Sequence, residues 1–252
     1  MKKKRLDHLL IERELFETRA RAQARIMAGD VFVDGQRRDK AGQRFADDVA
    51  IEVRGEGIKY ASRGGLKLEA ALEAFGYDCA DQVVIDVGAS TGGFTDCVLQ
   101  RGAARVYAVD VGYGQLAWKL RTDERVVVIE RMNIRKMPHD HLPEACDLAV
   151  IDCSFISLDK VLAPTRAFLK PEASVVALIK PQFEVGRDRI GKGGVVRDAQ
   201  VRAEAIEEAV AAAEALGFAR VDGIDCPVHG PAGNVEYLVW LRRVPGASGE
   251  EE

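Results

Sequence analysis

The run Val83-Val84-Ile85-Asp86-Val87-Gly88-Ala89-Ser90-Thr91-Gly92-Gly93-Phe94-Thr95 is where chemistry is easiest to read in this chain. A β-branched apolar stretch leads into a glycine-rich turn, and the turn opens a helix. Glycines there let the backbone approach a ligand and let helix pack closely on strand. The spacing is G-x-x-x-G-G, not the G-x-G-x-x-G of a dinucleotide cradle, and no G-K-[ST] marks a Walker loop. S-adenosylmethionine is the remaining common ligand of such a turn. The next strand ends in Ala108-Val109-Asp110, about 20 residues on, where a carboxylate can accept from both ribose hydroxyls. Asp86, Gly88, Ser90, Gly92, Gly93, Phe94, Thr95 and Asp110 are therefore read as the cofactor-binding set, with Asn133, after the third strand, near the adenine. A tight turn in some other α/β fold is the bland alternative.

Four polar residues stand in apolar or glycine-rich settings: Lys67 in Ser62-Arg63-Gly64-Gly65-Leu66-Lys67-Leu68, Asp152 after Leu148–Ile151, Lys180 after Val175–Ile179, and Glu236 in Gly233-Asn234-Val235-Glu236-Tyr237. Side chains at the carboxyl ends of parallel strands converge on the ligand crevice, so Asp152 and Lys180 are expected to face each other there. Each also has an ordinary explanation. The Asp could cap a helix near Leu158, Lys180 could be solvated, and Lys67 could lay its stem along a helix with its amine in water.

The elements that must position these groups follow from periodicity. Val83–Val87, Arg105–Val109, Val126–Ile129, Leu148–Ile151 and Ser174–Ile179 read as short buried strands, separated by helices at Gly93–Gln100, Gln115–Leu120 and Leu158–Leu169. This alternation predicts a parallel sheet covered on both faces. A long helix Ala199–Leu216 and the segment Val235–Leu241 complete it. Ahead of this region lies a different unit. Leu6, Leu9, Leu10 and Leu15–Phe16 form a helical stripe. Thr18 is placed to cap a second helix with Ala20, Ala24 and Met27 on its apolar side, and Gly29 stops it. Asp34-Gly35 signals a hairpin after Val31–Val33, and Val49–Val53 is another strand. The fold class expected is α/β, a Rossmann-like methyltransferase domain carrying a small N-terminal α+β domain. Residues 1–53 form the small domain, 54–62 a linker, 63–245 the large domain and 246–252 a disordered tail.

The chain has 252 residues, 47% hydrophobic and 30% charged, an ordinary balance for a soluble protein. No stretch approaches the roughly 20 consecutive apolar residues of a membrane helix. The basic start lacks the apolar core of a secretory signal. Cys79, Cys97, Cys146, Cys153 and Cys226 form neither C-x-x-C nor a metal-type spacing with His, so no metal is expected and the cytoplasm is the expected compartment. Net charge is −4, yet residues 1–45 carry 12 Lys/Arg against 7 Asp/Glu. A basic module on an acidic body fits nucleic-acid binding. Its candidates are the Lys2–Arg5 run, including Lys4 and Arg5, with Arg19, Arg21, Arg25, Arg37, Arg38 and Lys40; an ordinary solvated surface is the alternative. Arg21 and Arg25, at i and i+4, share a helix face.

The glycine turn together with SRGGLKL, IDCSFISL, LIKPQFE and GNVEYL resembles the TlyA family over nearly the whole chain. These are FtsJ-like ribosomal-RNA ribose methyltransferases that also carry the name hemolysin A. The first 53 residues resemble the RNA-binding module named for the fourth small-subunit ribosomal protein. The resemblance implies S-adenosylmethionine as cofactor, ribosomal RNA or ribosomal subunits as partner, and cytidine as the target base. It also maps a catalytic Lys-Asp-Lys-Glu tetrad onto Lys67, Asp152, Lys180 and Glu236. The wider FtsJ group has a proline-bearing motif after its Asp, where this chain has Cys153-Ser154-Phe155. On this reading Lys180 takes the proton of a ribose 2′-hydroxyl, Asp152 orients Lys180, and Lys67 and Glu236 place the ribose. A variant keeps Lys180 protonated and purely orienting. Three rival functions stay open: an RNA-binding protein with an inactive methyltransferase fold, a methyltransferase of small molecules, and a membrane-active hemolysin.

Overall fold

The computed structural model describes residues 3–16, 18–54, 59–186, 189–191, 193–228, 230 and 233–245. The chain divides into two compact units, Met1–Lys59 and Tyr60–Glu252. Lys2 and the expected tail 246–252 lie outside the described residues, as does most of the first half of the expected linker. In its second half, Tyr60 is buried in the core of the larger unit.

The small unit runs β1 (Lys4–Arg5), α1 (Leu6–Glu12), α2 (Arg19–Ala28), β2 (Val31–Val33), β3 (Gln36–Arg38), β4 (Arg44–Phe45) and β5 (Ile51–Val53). Thr18 Oγ1 accepts from the Arg21 amide and Gly29 closes α2 at φ 80°, the two ends its sequence predicts. Asp34 and Gly35, both at positive φ, turn β2 into β3. The apolar side of α2 differs from expectation. Ala22 and Ile26 enter the core with Leu6, Leu10, Val31 and Val33, while Ala20 and Met27 are exposed. Ile26 offers more surface to bury than Ala20 or Ala24, and Ala22 lies one turn before it, so these two set the helix rotation. That rotation carries Arg25 inward, where Nη1 lies 3.2 Å from Asp30.

The large unit runs α3 (Gly64–Ala74), β6 (Val83–Val87), α4 (Gly93–Gln100), β7 (Arg105–Val109), α5 (Trp118–Arg121), β8 (Val126–Ile129), β9 (Cys146–Ile151), α6 (Leu158–Thr165), β10 (Leu169–Ile179), α7 (Pro181–Glu184), α8 (Ala199–Ala215), β11 (Phe218–Asp225) and β12 (Tyr237–Arg243). Its sheet has the order β11-β12-β10-β9-β6-β7-β8. Alternation along the strands makes two cores. Ile85, Ala149, Ile151, Val175 and Ala177 face α6 and α8, and Val84, Leu148, Val150, Val176 and Leu178 face α3 and α4. Among the described residues no helix is long and apolar enough to cross a membrane.

Two expectations are corrected. The sheet is mixed, because β12 runs antiparallel to β10 and to β11. Helix α6 is also shorter than Leu158–Leu169, because Pro164 withholds a backbone donor and the chain enters β10 already at Leu169. The reversal of β12 decides where Glu236 goes. An antiparallel strand begins at the edge where its parallel neighbours end, so Glu236, just before Tyr237, arrives beside Lys180, just after Ile179; Ile179 and Tyr237 are register partners.

Candidate active site

A cleft of about 290 Å³ opens at the carboxyl ends of β6, β9 and β10. Its walls are the segment Ser62–Gly64 with Lys67, the turn Gly88–Thr91 with Gly93 and Phe94, the strand-end group Asp152, Ser154 and Lys180, and Val228. Backbone crowding explains the glycines. A Cβ at Gly88 (φ 89°) would stand 2.8 Å from the Asp152 carbonyl oxygen, and one at Gly93 would stand 2.3 Å from Ser62 Oγ and 2.8 Å from the Gly65 amide. The second contact lets α3 lie against the start of α4, which holds Lys67 at the cleft.

Two ion pairs organise the catalytic candidates. Lys67 Nζ donates to Glu236 Oε2 at 2.5 Å, and both side chains are nearly inaccessible. Losing one member of such a pair would leave an uncompensated buried charge, a penalty of about 3–5 kcal/mol. Lys180 Nζ lies 2.5 Å from Asp152 Oδ1. That contact is ionic but off the hydrogen-bonding angle, since Asp152 Oδ1 has no hydrogen-bond partner. The hydrogen bond from Lys180 Nζ goes instead to Ser154 Oγ, at 2.9 Å. The fold thus brings Lys67, Asp152 and Lys180 to the cleft wall, with Glu236 behind Lys67.

The glycine turn rests on buried polar groups. Asp86 is fully buried; its Oδ2 accepts from Thr95 Oγ1 at 2.6 Å, and its Oδ1 has no partner. Burial, reinforced by the charge of Asp152, pushes the Asp86 carboxyl up to about 7. Asp110 accepts from the Ser90 amide at 2.8 Å and the Gly112 amide at 2.6 Å, so it braces the turn. Gly92 is packed under Leu116 and Leu120 rather than on the cleft surface. Asn133 is exposed, accepts from the Arg135 amide, and starts a 3₁₀ turn at Ile134–Lys136; it is not among the cleft-lining residues. Sequence reasoning missed Ser62, Arg63, Gly64, Ala89, Thr91, Ser154 and Val228 as lining residues, although all but Val228 fall inside motifs it singles out.

Beside Ser154 the backbone is strained. Phe155 adopts φ 65°, costing of order 1–3 kcal/mol for a non-glycine residue. Its ring is 89% exposed and lies 5.0 Å from that of Phe183. Arg63 is also exposed on the cleft wall.

In the small unit, the expected RNA-binding cations are largely engaged by neighbours. Asp7, wholly buried, accepts from Arg5, Arg19 and Gln23, and these bonds, the Arg5 one foremost, hold its carboxyl far below the usual range. Lys4 pairs with Glu12 and Asp47. Arg38 donates to Gln36 and lies over the Phe45 ring. Arg21 is exposed.

The model of the FtsJ-like methyltransferases matches residues 60–243, and that of the S4 domain matches residues 4–47. The chain belongs to the FtsJ-like methyltransferase family. Its relatives place it in the TlyA branch. The chain is 46% identical over 239 residues to the 16S/23S rRNA (cytidine-2′-O)-methyltransferase TlyA of Mycobacterium tuberculosis, covering 94% of this chain and 89% of the relative. Hemolysin A of Brachyspira hyodysenteriae is 42% identical, with 93% and 98% covered. A solved hemolysin-named protein from Streptococcus thermophilus superposes with a TM-score of 0.76 at 44% identity, over 97% of this chain and 90% of that one.

FtsJ-like methyltransferases take their methyl group from S-adenosylmethionine, and the cleft fits it. The ligand is a sulfonium cation, and Asp152 presents a carboxylate on the cleft wall beside the turn that Asp110 braces. The unpartnered Asp86 oxygen is an acceptor in reserve directly behind that turn.

Proposed function

We propose that the protein methylates the ribose 2′-hydroxyl of a cytidine in ribosomal RNA, acting on ribosomal subunits in the cytoplasm. The observation that carries this reading is the Lys180 amine, held between Asp152 and Ser154 in the same cleft as the glycine turn. S-adenosylmethionine supplies an electrophilic methyl group. The chain's residues must then collect a proton from an alcohol that is otherwise a weak nucleophile. Lys180 accepts that proton and Asp152 steadies the resulting ammonium. The Lys67–Glu236 pair fixes the other side of the ribose. Asp86, Gly88, Ser90, Gly93 and Phe94 hold the cofactor, with Asp110 bracing the turn from below.

Features outside the reacting centre fit RNA. The exposed Phe155 ring offers a face on which an unstacked base can lie, the usual way single-stranded RNA is read. Arg63 and the N-terminal S4 domain offer cations to phosphates. The test is transfer of label from radiolabelled S-adenosylmethionine to unmodified ribosomal subunits, with a Lys180→Ala control. Alkali-resistant, 2′-O-methylated dinucleotides that vanish with the variant are expected. Cofactor binding with no label on either subunit would overturn the assignment.

A further inference from the structure

We infer that Ser154 is a positioning residue for the methyl-transfer step, fixing the direction in which the Lys180 amine meets the substrate hydroxyl. The inference rests on the ribose-methyltransferase reading above and deepens it. Charge attraction is nearly indifferent to angle, whereas a hydrogen bond weakens steeply away from linearity. Asp152 holds Lys180 Nζ by charge at 2.5 Å, off the hydrogen-bonding angle. Ser154 Oγ accepts the hydrogen bond from that amine at 2.9 Å, and both residues line the cleft. Asp152 therefore sets how tightly the amine is held, and Ser154 sets its rotation about the Cε–Nζ bond.

The stoichiometry of an amine makes that rotation matter. A neutral lysine amine has two hydrogens and one lone pair. With one N–H committed to Ser154, rotation about the Cε–Nζ bond is fixed; the negative charge of Asp152 favours the second N–H over the lone pair on its own side, which leaves the lone pair the remaining direction. Along that direction the 2′-hydroxyl O–H bond breaks and a third N–H bond forms. The electron pair left on oxygen makes the O–CH₃ bond as the S–CH₃ bond breaks, its pair staying on sulfur. Without Ser154 the amine turns freely and meets the hydroxyl in the right orientation only part of the time.

The test compares wild-type, Ser154→Ala and Ser154→Thr full-length protein on unmodified ribosomal subunits. It measures kcat, KM for the subunits, the dissociation constant for S-adenosylmethionine by calorimetry, and Tm. Ser154 is exposed, so Tm should not move. For Ser154→Ala we expect kcat to fall about 10–100-fold, the scale of a misplaced reacting group, with KM and cofactor affinity within about twofold of wild type. The threonine hydroxyl should restore most of the rate. An alanine variant with wild-type kcat, or one whose loss lies in KM or cofactor affinity, overturns the inference and leaves the assigned reaction standing. Absence of 2′-O-methyl product from the wild-type protein would instead remove the reading on which it rests.

Discussion

Asp86 is a carboxylate sealed from water with a single hydrogen-bond donor side chain beside it. Its titration therefore links stability to pH. Burial first, and the neighbouring Asp152 charge in support, raise its folded-state value to about 7, whereas an unfolded Asp titrates near 3.9. Between those values the folded chain keeps a proton that the unfolded chain has released. Stability from this group is thus full below about pH 4, falls as pH rises, and is gone above about pH 7. Glu184, half-buried and raised to about 7 by desolvation, has the same sign. For Asp86→Asn, the Tm difference from wild type should grow in the variant's favour from pH 5 to pH 8; a difference independent of pH would refute the burial argument. At this scale the sequence was most readable where polarity clashed with context, as at Lys67, Lys180 and Glu236. It marked the segment around Ser154 but not the serine itself, because a hydroxyl beside a strand end does not by its type reveal which group it meets. At Asn133 the side chain caps the Arg135 amide of a 3₁₀ turn, a use any Asn in a loop can have.

Among the elements, α3 depends on having no side chain where it meets α4. A Cβ on Gly93 would collide with Ser62 Oγ and the Gly65 backbone, and a Cβ on Gly65 would strike the buried ring of Tyr60 at 2.3 Å. Neither neighbour can step aside cheaply, since one is backbone and the other a core aromatic. Gly93→Ala should cost about 1–3 kcal/mol by overpacking, seen as a lowered denaturation midpoint. It should also weaken S-adenosylmethionine binding, because Ser62–Gly64 forms a cleft wall. Unchanged cofactor affinity would mean that α3 tolerates displacement. Most strands and helices were legible from period alone. Strand β11 was not: Phe218-Ala-Arg-Val-Asp-Gly-Ile-Asp225 is an exposed edge with charges, a glycine and a register shift, so no alternation survives in it. The direction of β12 is likewise invisible in its composition, because a strand buried on both faces reads the same in either sense.

Among the described residues, each unit has apolar clusters of its own. Leu6, Leu10, Ala22, Ile26, Val31 and Val33 pack with residues no later than Val53, and the two large cores begin at Tyr60. Each unit therefore has what it needs to fold separately. A fragment of residues 60–252 should melt cooperatively and bind S-adenosylmethionine within a few-fold of the full chain. It should lose most activity on ribosomal subunits, because on the proposed function the S4 domain contributes to holding the RNA. Full activity of the fragment on the subunits would show that the S4 domain is dispensable for RNA recognition. That the chain has two units was visible in the charge contrast between its ends and in the change of rhythm after residue 53.

Among the described residues the final strand in sequence is not at the edge of its sheet. Strand β12 lies between β11 and β10, so during synthesis β10 must wait with one edge open while nearly all of the chain emerges. Helix α8, made between them, already covers one face of that edge. Strands β11 and β12, antiparallel neighbours in sequence, can pair first and then dock as a unit. Only that docking brings Glu236 to Lys67, a partner 169 positions earlier. A nascent or truncated chain can thus build its glycine turn well before it can close this ion pair, and the site is complete only once β11 and β12 have docked.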